Sequence, residues 1–465
     1  MLPGNRGTTG SFNNRSTNTN FWASGASGWN RNLNYSNATV NRNTNSAANG
    51  FSVRCLKDCF ILRAFNGRRF YSDMENSRRM EMACDLFRAY YDARKNKGRS
   101  FSALSFGMDY ETKLFDLLDD IIGGRYAISP SICFVCSKPL KREIFAANFR
   151  DRIVHHFIYN YINPVFERLF INDAYSCRRG KGTSYGIRRL DHFIRSCSGN
   201  YKKDCYILKL DIRGYFMSIN KHILYQKVEK ALSRFRGKVR FDMSLVLSLI
   251  RHIIFHDSIK GCILKGKKED WRGMPRSKSL FFTGKGRGLP IGNLTSQLFG
   301  NVYLNDFDHF VKHKLGYSYY GRYVDDVVIV HRSKEYLKSM IPAIREYLKK
   351  ELLLDVHPQK TYLQHFSNGA GFLGVFIRPH RIYVGKRIKS SFYKKTNHWN
   401  RIALNSSFSE DDMGGFLSSE NSYLGILKHY DTYRLRKKMV GQILSPYLRE
   451  CFYFSEDYGK ASKRR

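Results

Sequence analysis

Two adjacent carboxylates, in Tyr323-Val324-Asp325-Asp326, constrain this chain more than any other feature. They stand between an aromatic-rich run, Tyr317 to Tyr323, and a β-branched run, Val327 to Val330. Such flanks read as the two strands of a hairpin with the acids at its tight turn. Adjacent acids repel, and a plain turn needs only one Asp or Gly. A fold that forces two acids together has a use for a cation there; the alternative is a solvated acidic turn.

A third carboxylate shifts the balance toward the cation. Cys205-Tyr206-Ile207-Leu208-Lys209-Leu210-Asp211 is an apolar strand pattern ending in an acid. Nucleotidyl transfer takes two divalent cations about 3.5–4 Å apart, clamping the attacking and leaving oxygens. Mg²⁺ prefers one or two carboxylates plus substrate phosphates. Asp211 at a strand end, facing Asp325 at a hairpin tip, supplies such a cage, with Asp326 as the second acid of the pair.

The partner implied by charge is a polyanion. Lys plus Arg number 79 against 39 Asp plus Glu, a net charge of +40 over 465 residues. The basic residues interleave with aromatics, which suits backbone contact combined with base stacking. Anionic membrane is the rival, but no run approaches the ~20 apolar residues of a spanning helix. Leu245 to Phe255 is the best stretch, and Arg251 and His252 break it. No charged-then-apolar leader opens the sequence. The ten cysteines form no framework, and Cys133-Phe134-Val135-Cys136 is a lone pair without a second. Buried, inert thiols in a reducing cytoplasm are the expectation.

The first fifty residues differ from the rest, with thirteen Asn and no acid. Their composition reads as a disordered low-complexity arm over residues 1–60. Against this, Trp29, Arg31, Leu33 and Tyr35 alternate with Asn30, Asn32 and Asn34, a period of two that signals a strand. A second strand-like run spans Gly50 to Asp58. From Met74 the pattern is helical, with an apolar stripe at Met80, Ala83, Leu86, Phe87 and Tyr90. A second helix around Phe115 to Ile122 ends at Gly123-Gly124, and a third runs from about Phe149 through Phe166. Ser176-Cys177-Arg178-Arg179-Gly180-Lys181-Gly182-Thr183 is a basic glycine loop able to approach phosphate, or a solvated basic loop. Between Asp211 and Asp325 lie helical segments at Lys221 to Arg236 and Met243 to Phe255 and a basic insert, Lys260 to Arg287.

The motifs, in order, resemble those of reverse transcriptases. Leu210 to Ile219 is similar to the first palm motif, Tyr323 to Asp326 to the Y-x-D-D box, Leu354 to Thr361 to a motif with a lysine near the triphosphate, and Gly371-Phe372-Leu373-Gly374 to the primer-grip hairpin. Gly288-Leu289-Pro290-Ile291-Gly292-Asn293-Leu294-Thr295-Ser296-Gln297 carries Ile291 and Gln297 where most of these enzymes have Gln and Pro, a departure typical of the diversity-generating retroelements. The same segment also reads as a Gly-rich loop capping a helix at Asn293.

The resemblance implies an α+β right-hand polymerase: fingers over 74–200, a palm of antiparallel sheet and helices over 201–385, and a basic helical thumb and tail over 386–465. It implies RNA-templated, error-prone DNA synthesis for mutagenic retrohoming. The template is RNA, the primer DNA or RNA, and the substrates are dNTPs, with two Mg²⁺ (Mn²⁺ able to substitute), a small basic accessory protein and a bacterial or phage-encoded origin. Residues 1–58 would then be a template repeat read as protein, ending like the lectin-like targets of these elements, or else an RNA-binding arm carrying Arg6, Arg15, Arg31 and Arg42.

By the same resemblance Asp211, Asp325 and Asp326 are catalytic metal ligands. Phe216 is a steric gate against ribose, or a core aromatic. Arg142 and Lys360 reach the triphosphate, or are surface cations. Ile291 and Gly292 border the incoming nucleotide. Arg179, Lys181, Gln297, Phe372, Gly374, Lys386 and Arg387 face nucleic acid. The rivals are a retron, group II intron or defence-associated reverse transcriptase and, in another class, a non-catalytic RNA-binding scaffold.

Overall fold

The computed structural model describes residues 73–95, 97–98, 100–137, 141–405 and 408–464, and before them short strands within residues 5–44. The chain divides into two compact units, Met1–Phe87 and Arg88–Arg465.

In the first unit β1 (Asn5–Arg6) pairs with β2 (Phe12–Asn13). β3 (Asn18–Trp22), β4 (Trp29–Asn34) and β5 (Val40–Thr44) form an antiparallel sheet with β4 in the middle. β4 covers Trp29 to Asn34 of the alternating run. The expected strand at Gly50 to Asp58 lies outside the described residues. Helix α1 (Asp73–Arg94) buries Ala83, Leu86 and Tyr90 of the expected stripe.

The second unit continues with α2 (Phe101–Gly107) and α3 (Tyr110–Ile122), the latter ending at Gly123. β6 (Ile132–Cys136) and β7 (Arg142–Ala146) form a hairpin. Cys133 is buried and Cys136 exposed, because residues three apart on a strand point to opposite faces; the pair cannot chelate. Cys84 is disulfide-bonded and Cys177 is exposed, so the expectation of buried free thiols throughout is corrected.

Two long amphipathic helices follow, α4 (Phe149–Leu169) and α5 (Thr183–Cys197). Next come β8 (Tyr206–Asp211), the single turn α6 (Tyr215–Ser218), α7 (Lys221–Ser233) and α8 (Met243–Phe255). The basic insert carries β9 (Ile263–Leu264), which joins β6 in parallel. The buried carboxylate of Glu143 fastens the insert to β7, accepting from Trp271 Nε1 (2.7 Å), Ser279 Oγ (2.8 Å) and the Leu280 N–H (2.6 Å).

α9 (Leu294–His309) packs against α4 and α7. It leads into β10 (Tyr320–Tyr323), β11 (Asp326–His331), α10 (Lys334–Leu352) and β12 (Tyr362–His365). Four of these strands make the central sheet, in the order β10-β11-β8-β12, antiparallel throughout. β13 (Ala370–Phe372), β14 (Val375–Arg378) and β15 (Arg381–Val384) form a second sheet. One core joins them: Ile187, Leu190, Phe193 and Ile194 of α5 meet Ile207, Val328 and Val330 of the central sheet and Phe372, Val375 and Ile377 of the second. Each such side chain contributes about 1.5–3 kcal/mol on burial, so this core fixes the two sheets together.

The C-terminal region is α11 (Lys386–Asn405), α12 (Glu410–Leu427), α13 (Tyr433–Lys438), α14 (Pro446–Cys451) and a hairpin of β16 (Phe452–Phe454) with β17 (Ala461–Lys463). Ser409 and Asp412 cap α12 reciprocally. The buried face of α12 runs Phe416, Glu420, Leu424, Leu427. Glu420 is therefore a carboxyl in an apolar stripe, and burial pushes it up to about 8. The described residues are an α+β assembly, and no helix among them is long and apolar enough to cross a membrane.

Candidate active site

The strand register brings the three acids to one end of the central sheet. Tyr323 pairs with Asp326, which leaves Val324 and Asp325 as a two-residue loop. On its other side Asp326 lies opposite Asp211 of β8. Directly opposed residues share a face, so these carboxylates are neighbours. Burial, and then the charge of Asp211, push Asp325 up to about 6. Burial also raises Asp326, while Lys209 opposes the rise. Each strand acid has an ammonium partner: Lys360 Nζ is 2.8 Å from Asp211 Oδ2, and Lys209 Nζ is 3.0 Å from Asp326 Oδ1.

Val324 has φ +57°, a left-handed backbone that a β-branched residue rarely adopts. Its N–H donates to Ser176 Oγ (3.2 Å) and its carbonyl accepts from Arg322 Nη1 (2.9 Å). Arg322 is wholly buried and forks onto Asp308 of α9, Nε to Oδ1 at 2.7 Å and Nη2 to Oδ2 at 2.6 Å. Asn301 ties the set together, accepting from Ser176 Oγ at 2.9 Å. The sequence reading missed Asn301, Asp308 and Arg322, and took Ser176 only as the start of a basic glycine loop. One signal was available: Arg322 is a cation inside an otherwise buried strand, and such a charge needs a partner. Nothing in the spacing points to Asp308.

Two of the candidate nucleotide residues share one small apolar cluster. Phe216 and Ile291 both pack against Cys133, Phe145, Met217 and Leu280. The Phe216 ring also lies under α9, where a Cβ on Gly300 would come within 3.2 Å of it. The Ile291 carbonyl accepts from the Phe145 N–H at 2.8 Å. Gly292 has φ +130°, and a Cβ there would meet Ile144 Cγ2 at 2.9 Å and Phe145 O at 3.0 Å, so only glycine fits. Asn293 stands at the N-cap position of α9 as expected. Its side-chain oxygen, however, accepts from the buried Ala147 N–H (3.1 Å), which corrects the expected cap bond. Arg142, at the start of β7, and Gln297, on the first turn of α9, are exposed.

The candidate nucleic-acid residues divide. Arg179, Lys386 and Arg387 are exposed, the last two on the first turn of α11. Lys181 turns back onto Asn172 (Oδ1 at 3.0 Å), and burial lowers it to about 8. Gly374 is exposed with φ +89° at the tip of the β13–β14 hairpin. Phe372 is a correction: only 1% exposed, it is a core residue between the two sheets and offers no surface to a ligand.

Three carboxylates are the hard oxygen set that Mg²⁺ takes, and the burial and like charge that raise Asp325 are what a cation would relieve. In kind, Asp211, Asp325 and Asp326 fit the divalent ions that reverse transcriptase domains generally use. Among the described residues no three His, Cys, Asp or Glu side chains are already arranged to hold one. Lys360 and Lys209 stand on two of the acids, and cation binding there requires those ammonium groups to yield.

The family described as "Reverse transcriptase (RNA-dependent DNA polymerase)" matches residues 139–377, which is 377 − 138 = 239 positions and just over half the chain. Protein YkfC of Escherichia coli (strain K12) is 23% identical over 313 residues, 59% of this chain and 74% of that protein. Two telomerase structures are similar at low identity. The truncated apo form from Candida tropicalis has a TM-score of 0.38 and 15% identity, over 59% of this chain and 60% of its own. The form from Candida albicans with a telomeric RNA fragment has a TM-score of 0.40 and 12% identity, over 72% and 64%. The chain thus spans 60% and 64% of the lengths of these telomerases. The family match covers all three acids, the strained turn between them and the Arg322–Asp308 pair beneath it: the chain belongs to the reverse transcriptase (RNA-dependent DNA polymerase) family.

Proposed function

We propose that this chain copies RNA into DNA at the end of its central sheet. The observation that carries the reading is the register of Asp326 opposite Asp211, with Asp325 held beside them on a strained turn. A primer 3′-hydroxyl attacks the α-phosphate of a dNTP, and pyrophosphate leaves. Asp211 and Asp325, with Asp326, would hold two divalent cations, which supply charge stabilisation for both oxygens. Lys360, 53% exposed at its side chain, can leave Asp211 for a triphosphate. Phe216 lies under the nucleotide sugar, and the exposed cations of α11 follow the phosphate backbone.

The finer reading is error-prone copying of a template repeat in a diversity-generating retroelement. Ile291 supports it: the residue adds an apolar wall to the cluster around Phe216 and presents no side-chain hydrogen bond to a nucleotide. One well-placed hydrogen bond is worth roughly 0.5–1.5 kcal/mol, about three- to tenfold in selectivity. Primer extension on one RNA, followed by sequencing of the cDNA, tests both levels. The wild type should extend in Mg²⁺, and Ile291→Gln should misincorporate less, most of all opposite template adenines. Absence of extension defeats the polymerase reading; an equal error rate at adenines defeats the role of Ile291.

A further inference from the structure

Lys209 is a half-buried cation that no sequence motif singles out. It precedes Asp211 by two residues, so both side chains leave β8 on the same face. On that face Lys209 lies opposite Val328 of β11 and Tyr362 of β12, diagonal to Asp326. Its ammonium is 3.0 Å from Asp326 Oδ1 and 3.2 Å from the carbonyl of Gly371, to which it donates. It also sits 5.9 Å from the centroid of the Tyr362 ring and 5.8 Å from that of Phe372. The Tyr362 hydroxyl donates to the same Gly371 carbonyl at 3.1 Å. Four groups on three strands outside β8 therefore converge on one ammonium.

The contrast with Lys360 is informative. That side chain is 53% exposed, while the Lys209 side chain is 17% exposed and walled by rings. A buried ammonium is costly unless paired, and Asp326, the carbonyl and the ring faces offset the cost. Asp326 Oδ1 is itself buried and receives no aligned hydrogen bond, so charge attraction is what fixes this oxygen. Lys209 leaves Oδ2 as the oxygen of Asp326 able to turn toward a cation. Its other contact, Gly371, lies two residues from the Leu373–Gly374 tip of the β13–β14 hairpin.

We propose that Lys209 is a positioning residue that ties Asp326 to the β13–β14 hairpin and so sets the spacing between the acids and the segment that resembles a primer grip. The proposal rests on the polymerase reading above and adds a residue to it. A displacement near 1 Å at a reacting centre can cost about a hundredfold in rate. Lys209→Met keeps the length and apolar stem and removes the charge. It should lower kcat for single-nucleotide extension about ten- to a hundredfold, with the Kd for RNA–DNA primer–template in EDTA within about threefold of wild type. Lys209→Arg keeps a cation and should recover part of that kcat.

A thermal-melt cycle in EDTA isolates the contact. Lys209→Met and Asp326→Asn should each shift Tm, and the double variant should shift it by less than the sum of the two. Additive Tm shifts, an unchanged kcat in Lys209→Met, or a kcat loss that Lys209→Arg does not relieve would overturn the proposal. The cycle needs no polymerase activity, so a failed tie is told apart from a failed polymerase reading by extension with the wild type.

Discussion

The turns Val324–Asp325 and Leu373–Gly374 have the same length, and both turn the chain through left-handed backbone, yet they are built differently. At the second, Leu373 (φ +49°) and Gly374 (φ +89°) join β13 to β14. A glycine in the more extreme position takes the conformation at little steric cost. At the first, Val324 takes φ +57° with a branched Cβ, at a cost of about 1–2 kcal/mol for a left-handed residue. A hydrogen bond to Ser176 and one from Arg322, itself fixed by Asp308, hold it there. Strain of this kind persists only where the surroundings over-determine it. Both turns hold one left-handed non-glycine residue, but only under the acids do buried side-chain bonds reach that residue itself; at the other hairpin the second left-handed position is a glycine.

The largest effect should come from the acid turn itself. Asp325→Asn is expected to abolish primer extension in Mg²⁺ while leaving Tm unchanged or slightly raised, because the replacement removes a charge that burial already disfavours. Extension assayed beside a thermal melt checks both halves, and retained synthesis would end the special status of this turn.

Next comes the support. Arg322→Met leaves the Asp308 charge buried without its cation, with only the Tyr320 hydroxyl still donating to it, at a cost of about 3–5 kcal/mol in denaturant unfolding. Arg322→Met with Asp308→Leu should regain part of that stability, less the cost of a Tyr320 hydroxyl left without its acceptor, and should not regain extension, because no donor then reaches the Val324 carbonyl. Recovery of both together would mean that the pair supports the fold and not the turn.

The smallest effect is a reciprocal exchange. Gly374→Val should cost about 1–2 kcal/mol, from backbone strain alone, since a Cβ there meets only Ile388 Cδ1 at an ordinary 3.5 Å. Val324→Gly relieves similar strain but frees the unfolded chain, for a net change within about 1 kcal/mol, and should still slow extension by loosening the acids. Equal and opposite stability changes at the two turns would erase the distinction.

These differences also mark what the sequence could reveal. The hairpin around Asp325, the strand ending in Asp211 and the helices α3, α4, α7 and α8 were legible because their apolar periodicity is local. Gly374 entered only through the resemblance of Gly371 to Gly374 to a primer-grip hairpin, and the structure places it at the tip of a two-residue turn. The partnership of Arg322 with Asp308, and of Lys209 with Asp326 and Gly371, depends on strand order and helix packing that no short window contains. Phe372 was misread because a motif gives position along the chain and not the face a side chain takes. Lys181 followed the opposite course from its expected phosphate role when the loop folded back on Asn172. The loop was recognisable; the direction of its charge was a tertiary outcome.

Glu420 gives the C-terminal helices a proton balance of their own. Its folded carboxyl titrates at about 8, against an ordinary value of 4.5. Between those values the folded chain holds a proton that the unfolded chain has released. Stability should therefore be fullest below about pH 4.5, decline as pH rises toward about 8, and level off above it. The pH range in which a polymerase would work thus falls where this region gives up stability with every added increment of base.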